Sequence, residues 1–223
     1  MNFSTTEENY IKAIFHLQSL EGTVTTNALA QKLQTRPASV TDMMKKLSAK
    51  KILNYKPYYG FTLSSEGKRI AITIIRRHRL WEFFLAEKLQ FGWDEVHPLA
   101  EELEHVSSSK LIDKLDAYLG FPQFDPHGDP IPDSRGKMAV ADHTRLTTLQ
   151  LNQPAVVVRV SNQSKQMLDE LAEKNITIGT SVEIRKRSDF DQALTVRVRN
   201  RNIVLTEQVA QHLLVKKLQH GTD

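Results

Sequence analysis

His78 and Glu82 stand four residues apart, and Glu101, Glu104 and His105 follow at i, i+3 and i+4, with His97 two turns ahead of His105. Residues spaced by three or four leave a helix on one face, so each set would offer imidazole and carboxylate side by side. Two imidazoles and two carboxylates brought together by packing of the two helices form a nitrogen and oxygen ligand set. Such a set suits Mn(II), Fe(II), Co(II) or Zn(II), and a carboxylate-rich one leans toward Mn(II). The chain has no cysteine, which removes disulfides, thiolate zinc sites and cysteine nucleophiles together. Each helix alone also reads as ordinary surface, because His78 lies in the basic run Arg76-Arg77-His78-Arg79 and Glu101-Glu102-Leu103-Glu104 has an acidic face. Two such helices adjacent in sequence are what favours a metal. His97-Pro98 also fits a helix cap and Asp125-Pro126-His127 a loop turn, and both bring further ligand-type groups into reach. No nucleophile or substrate pocket accompanies these residues, so neither an enzyme nor a small-molecule substrate is expected.

These side chains need helices to position them. Ser64-Ser65-Glu66 caps a long helix running to about Gln90, with Gly92 beyond its end. A second helix is expected from near Asp94-Glu95 past His105, and a third over about Ser108 to Leu119. Ahead of them, Tyr10, Ile11, Ile14, Phe15 and Leu17 recur at helical spacing behind Thr5/Thr6 and Glu7/Glu8, and Gly22 breaks that helix. Thr25 or Thr26 caps a short helix through Leu33, and Thr35-Arg36-Pro37 turns into a helix over Ala38 to Lys50. Two short strands, Ile52 to Tyr55 and Phe61 to Leu63, flank Lys56-Pro57-Tyr58-Tyr59-Gly60.

Helix, helix, turn, helix and hairpin within about 63 residues make a winged helix-turn-helix, which buries one side of its third helix and offers the other to the major groove. The offered side holds Arg36, Ser39, Thr41, Asp42, Lys45 and Lys46. Its hydroxyls reach base edges or phosphates, while the lysines and the wing residues Lys56, Tyr58 and Tyr59 suit the DNA backbone. Residues 1–91 carry 14 Lys/Arg against 7 Asp/Glu, and residues 92–120 carry 2 against 7, so the basic half is the one that carries the winged helix. A protein-interaction winged helix is the competing reading.

Residues 120–150 are rich in proline and glycine and read as an ordered loop leading to a linker. Beyond them, strands at Ala155 to Val160, Ser181 to Arg187, Leu194 to Arg199 and Arg201 to Leu205, with a helix at Gln166 to Lys174, suggest a small β-barrel. The fold class is therefore mainly α with a small β domain: residues 1–64 a DNA-binding domain, 65–139 a helical metal-binding and dimerisation domain, 140–223 the barrel. No segment approaches the roughly 20 apolar residues that span a bilayer, and no cationic start precedes an apolar core, so a cytoplasmic protein is expected.

Taken together these residues resemble the diphtheria toxin repressor and manganese transport regulator family of metal-dependent bacterial transcription factors. The resemblance covers essentially the whole chain: Thr5-Thr6-Glu7-Glu8-Asn9-Tyr10-Ile11, Arg77-His78-Arg79-Leu80-Trp81-Glu82, Glu101-Glu102-Leu103-Glu104-His105-Val106-Ser107, and Asp125-Pro126-His127-Gly128 with Pro130-Ile131-Pro132. It implies a homodimer on a palindromic operator, with a C-terminal barrel of the Src-homology-three type. Metal would order the first helix and set the spacing of the two winged helices. The primary site it implies is His78, Glu101, Glu104 and His105, completed by Asn9. Glu101 stands where iron-type members place cysteine and manganese-type members glutamate. The implied function is thus a Mn(II)-activated repressor of metal-uptake genes, with an Fe(II)-responsive repressor as the alternative and Zn(II) or Co(II) able to substitute. Lys12 replaces a glutamate with which two-domain manganese regulators build an adjacent second metal, so a binuclear site of that kind is not expected. An ancillary site would join Glu82 to Asp125 and His127, with His97 as the rival partner. Around Ser161-Asn162-Gln163-Ser164 no acidic residue aligns with a barrel ligand.

Overall fold

Ser4 opens the first helix, α1 (Thr5–Glu21): its hydroxyl accepts from Glu7 N while the Glu7 carboxylate accepts from Ser4 N. The reciprocal pair satisfies two orphan amides at once, which is why Ser4 caps rather than Thr5 or Thr6. The computed structural model describes residues 3–56, 59–106, 108–140 and 142–218. Tyr58 and the Lys56 side chain, both expected at the DNA, lie outside what is described.

Thr25 caps α2 (Thr26–Lys32), and Pro37 occupies the first turn of α3 (Pro37–Ala49), where its missing N–H costs nothing. Strands β1 (Leu53–Lys56) and β2 (Gly60–Leu63) pair antiparallel as the wing, with Leu53 opposite Leu63. Ile11, Ile14, Leu29, Val40, Leu47, Ile52 and Phe61 form a fully buried core between these elements. Each such side chain contributes about 1.5–3 kcal/mol by leaving water.

The beam of the molecule is α4 (Ser65–Leu89), capped by Ser64. Ala71 and Ile74 in its first half close the winged-helix core. In its second half, Leu80 packs with Ile112 and Leu115 of α6 (Ser109–Tyr118), and Leu85 packs with Val96 and Ala100 of α5 (Val96–Leu103). Arg76 reaches Asp116 at 2.8 Å and so ties α6 to α4. The helix expected to continue past His105 stops at Leu103: Glu104 caps it and His105 lies in the following turn. The side chains of both are held by partners on α4 and α1, described below.

Past the loop, β3 (Thr144–Arg145), a 3-10 turn at Leu146–Thr148, β4 (Pro154–Val160), α7 (Lys165–Glu173), β5 (Ser181–Arg187), β6 (Leu194–Val198), β7 (Arg201–Leu205), α8 (Glu207–Ala210) and β8 (Leu213–Lys217) complete the chain. The strands form one antiparallel sheet in the order β3-β8-β4-β5-β6-β7, over a core that includes Val157, Leu168, Ile184 and Val196. Among the described residues the expected barrel does not close: β3 and β7 are the two edges, and β3, two residues long, pairs there only with β8. No helix among the described residues is long and apolar enough to cross a membrane.

Candidate metal centre

His78 and Glu82 project from the buried side of α4, one turn apart. Glu82 Oε1 lies 3.0 Å from His78 Nε2 and 2.9 Å from His97 Nδ1 of α5, and those two nitrogens are 3.1 Å apart. Three donor atoms thus form a nearly equilateral triangle. An ion with bonds of about 2.1 Å separates neighbouring ligands by about 3 Å, so these three fit one face of a first-row metal's coordination shell.

A second group meets at the same carboxylate. His127 Nε2–H donates to the Trp93 carbonyl at 2.7 Å, which turns Nδ1 toward Glu82. That Nδ1 is buried, has no hydrogen-bond partner, and stands 3.9 Å from Glu82 Oε1. Asp125 Oδ1 accepts from the His127 and Asp129 amides, both at 2.9 Å, so the loop folds around it. Asp125 Oδ2 is buried without a hydrogen bond, with Arg79 Nε at 3.6 Å. Burial, with the Glu82 and Asp129 carboxylates close by, pushes the Asp125 carboxyl well up, and Arg79 offsets only part of this. Buried acceptors facing one another are costly unless a proton, which the raised Asp125 carboxyl favours, or a cation joins them. Either group, His78-Glu82-His97 or Glu82-Asp125-His127, can hold an ion through nitrogen and oxygen alone.

His78 is held from both sides. Its Nδ1–H donates to Glu104 Oε2 at 2.6 Å while Nε2 faces Glu82. Burial alone would lower the imidazole, but the two carboxylates raise it to about 9. The same contacts hold Glu82 and Glu104 below the usual carboxylate range against the opposing effect of burial.

The other residues of the expected primary set lie at the junction with α1, and Glu101, Glu104 and His105 are engaged there with protein groups. Glu104, fully buried, accepts Lys12 Nζ of α1 on both oxygens at 2.7 Å. Glu101 is 54% exposed, with Lys12 at 3.5 Å and His97 at 3.7 Å. His105 Nδ1–H donates to Glu8 at 2.7 Å, and its Nε2 is 3.7 Å from Glu104. Asn9 lines a cavity of about 380 Å3 shared with His78, Glu82, His97 and Glu101. Sequence reasoning missed Glu8, which also accepts from buried Arg77 at 2.8 Å. Its one available signal was a position four before Lys12, on the same face of α1.

On the recognition face, Arg36, Ser39, Thr41, Asp42, Lys45 and Lys46 are all exposed, as expected of groups that meet DNA. Lys45 pairs with Asp42 at 3.2 Å, Thr41 donates to the Pro37 carbonyl, and Lys46 lies 3.3 Å from Glu7.

Comparison with known proteins gives these features a context. Residues 2–61 match the N-terminal DNA binding domain of iron dependent repressors, residues 64–133 their metal binding and dimerisation domain, and residues 144–217 the FeoA domain. The HTH-type transcriptional regulator MntR of Oceanobacillus iheyensis is 36% identical over 108 residues, which are 48% of this chain and 73% of that relative. The iron-dependent repressor IdeR of Mycobacterium tuberculosis is 26% identical over 225 residues, 96% of this chain and 97% of its own. Among solved structures, a manganese-dependent transcriptional repressor in complex with manganese has a TM-score of 0.86 at 32% identity, covering 95% of this chain and all of that one. ScaR with bound Cd2+ follows the same fold at a TM-score of 0.81 and 30% identity, covering 95% and 99%. A winged helix, a sulfur-free cluster of metal-ligand type and these likenesses agree: the chain belongs to the diphtheria toxin repressor and manganese transport regulator family of metal-dependent, DNA-binding transcriptional repressors.

Proposed function

We propose that the chain is a Mn(II)-activated repressor of metal-uptake genes, with the ion held around Glu82 by His78 and His97 on one side and Asp125 and His127 on the other. The observation that carries this reading is the triangle of Glu82 Oε1, His78 Nε2 and His97 Nδ1 beside two buried acceptors without hydrogen bonds. A nitrogen and oxygen set without sulfur suits Mn(II), Fe(II), Co(II) or Zn(II), and its carboxylates lean toward Mn(II). The likeness to a manganese-dependent repressor supports the same metal, and the likeness to IdeR supports Fe(II) as the alternative. Zn(II) or Co(II) would enter the same ligands.

The ion supplies charge, offsetting Glu82 and Asp125 where protein groups do so incompletely. His78 gives its Nε2 to the metal and keeps Nδ1–H on Glu104, a carboxylate-histidine-metal arrangement that fixes the ring. Glu104 in turn holds Lys12, and Lys12 belongs to the first helix of the DNA-binding domain. Metal therefore favours the state in which α1 is docked, by the difference in its affinity for the two states. Glu101, Glu104, His105 and Asn9 form an adjoining position, open to a second ion only when Lys12 gives up Glu104.

In this reading residues 1–64 bind DNA, 65–139 bind metal and pair two chains, and 140–223 carry the sheet domain. The paired α3 helices enter successive major grooves of a palindromic operator. Ser39 and Thr41 read bases, and Lys45, Lys46, Lys56 and Tyr58 meet the backbone. DNA affinity measured at equal buffered concentrations of free Mn(II), anaerobic Fe(II) and Zn(II) tests the proposal. Activation strongest with Mn(II) is expected. Affinity indifferent to every ion would end the sensor reading, and a response to Fe(II) without one to Mn(II) would replace it by the alternative.

A further inference from the structure

Asp125 and His127 sit on a loop, and the sheet domain grips that loop beside them. The His127 carbonyl accepts from Val160 N of β4 at 2.9 Å. Arg159 Nη2 stands 2.6 Å from Asp129 Oδ1 as an ion pair, and Gln163 Nε2 donates to Asp129 Oδ2 at 2.6 Å. Gly128 lies at φ +84 so close to β4 that a Cβ there would stand 1.9 Å from the Val158 carbonyl oxygen. No other residue fits. Trp93, whose carbonyl orients His127, packs its side chain against the core of the sheet domain. Inside the loop, Asp125 Oδ1 accepts from the Asp129 amide, so a movement of Asp129 is a movement of Asp125. The nearest stretch of the sheet domain, Ser161-Asn162-Gln163-Ser164, has no carboxylate to offer a metal.

We infer that the sheet domain acts on the metal by positioning its ligands: Arg159, Gln163 and Val160 clamp the loop through Asp129 and His127 and so hold Asp125 and His127 at Glu82. This rests on the proposed Glu82-Asp125-His127 ligand set. Docking of the sheet domain and occupancy of that set are then linked, and by the same factor in each direction. Arg159 is a positioning residue, three links from the ion.

Hydrogen exchange at the Val160 amide, followed in the full chain with and without Mn(II) beside a Mn(II) titration, tests the linkage. In the native chain Mn(II) should slow that amide about tenfold, the scale on which outer-shell partners act on metal affinity. His127→Ala should remove both the ion at this set and its effect on Val160. Arg159→Ala should speed exchange in the metal-free chain and weaken Mn(II) about tenfold, and Arg159→Lys, which keeps a cation on Asp129, should recover most of both. If His127→Ala loses one equivalent of Mn(II) while Val160 in the native chain ignores the ion, the ligand set stands and the positioning inference is overturned. If His127→Ala leaves Mn(II) binding unchanged, the ligand set fails and the inference fails with it.

Discussion

Lys12 Nζ lies 2.7 Å from both carboxylate oxygens of Glu104, a side chain with no exposure to solvent. The ammonium thus occupies the place at Glu104 where a metal would compete, and it does so from the first helix of the DNA-binding domain. Removing one member of a buried pair leaves the other uncompensated, which costs up to about 3–5 kcal/mol. Since His78 still donates to Glu104, Lys12→Met should cost the lower part of that range in the metal-free chain. In thermal melts, Mn(II) should then stabilise Lys12→Met more than the native chain, and titration should find more Mn(II) bound. An unchanged melt would mean that Lys12 does not restrain the position.

Glu8 joins three elements, accepting from Arg77 of α4 and from His105 beyond α5 while standing on α1. Glu8→Ala strands a buried guanidinium and should lose about 3 kcal/mol in chemical denaturation. Glu8→Gln keeps an acceptor for Arg77 and should lose clearly less. A neutral Glu8→Ala would show that α1 is held elsewhere.

Glu7 ties α1 to the recognition helix through Lys50 at 2.6 Å and Lys46 at 3.3 Å. Burial would raise its carboxyl, but hydrogen bonds from Lys50, the Ser4 amide and Lys46 prevail and hold it at about 2, against an ordinary 4.5. A carboxyl lowered by folding adds stability above its unfolded value and loses it as pH falls through the folded one. Between pH 4.5 and 2 the native chain should therefore lose stability more steeply than Glu7→Gln, read from melts at stepped pH. Parallel curves would contradict the ion pairs.

On DNA, Lys45→Ala should weaken binding to all sequences alike and reduce the salt slope by about 1, as loss of one phosphate contact does. Lys46→Ala should reduce it less, because its partner Glu7 is buried and holds that charge, whereas the Asp42 beside Lys45 is exposed and screened. Ser39→Ala should instead alter base preference in selection from random DNA. Equal effects of all three on operator and random DNA would overturn the contact assignment.

Much of this was legible in residue order because local signals agree with the tertiary fold. Pro37 at a helix start, Ser64 as a cap and the spacing of Val40, Met44 and Leu47 each have one structural reading. Strand β8 did not, since Leu213-Leu214-Val215-Lys216-Lys217 shows no alternation: three buried residues run together before two exposed lysines. Its place between β3 and β4 comes from pairing distant in sequence. At the candidate metal centre, spacing identified which side chains share a helix face but not which way each is drawn. Glu101 and Glu104 do face a common partner, yet that partner is Lys12, and only packing of α1 on α4 and α5 brings it there. The two candidate ancillary sets, read as rivals, meet at one carboxylate because His97 and His127 approach Glu82 from different elements.

Both candidate ligand groups share Glu82. Operator DNA selected from random sequence by the native chain in Mn(II) should be bound at least about tenfold more tightly with Mn(II) than without, a coupling of the usual allosteric size. Glu82→Gln, which keeps the shape and loses the charge, should bind that DNA equally with and without the ion. A Glu82→Gln chain that responds to Mn(II) as the native chain does would contradict the claim.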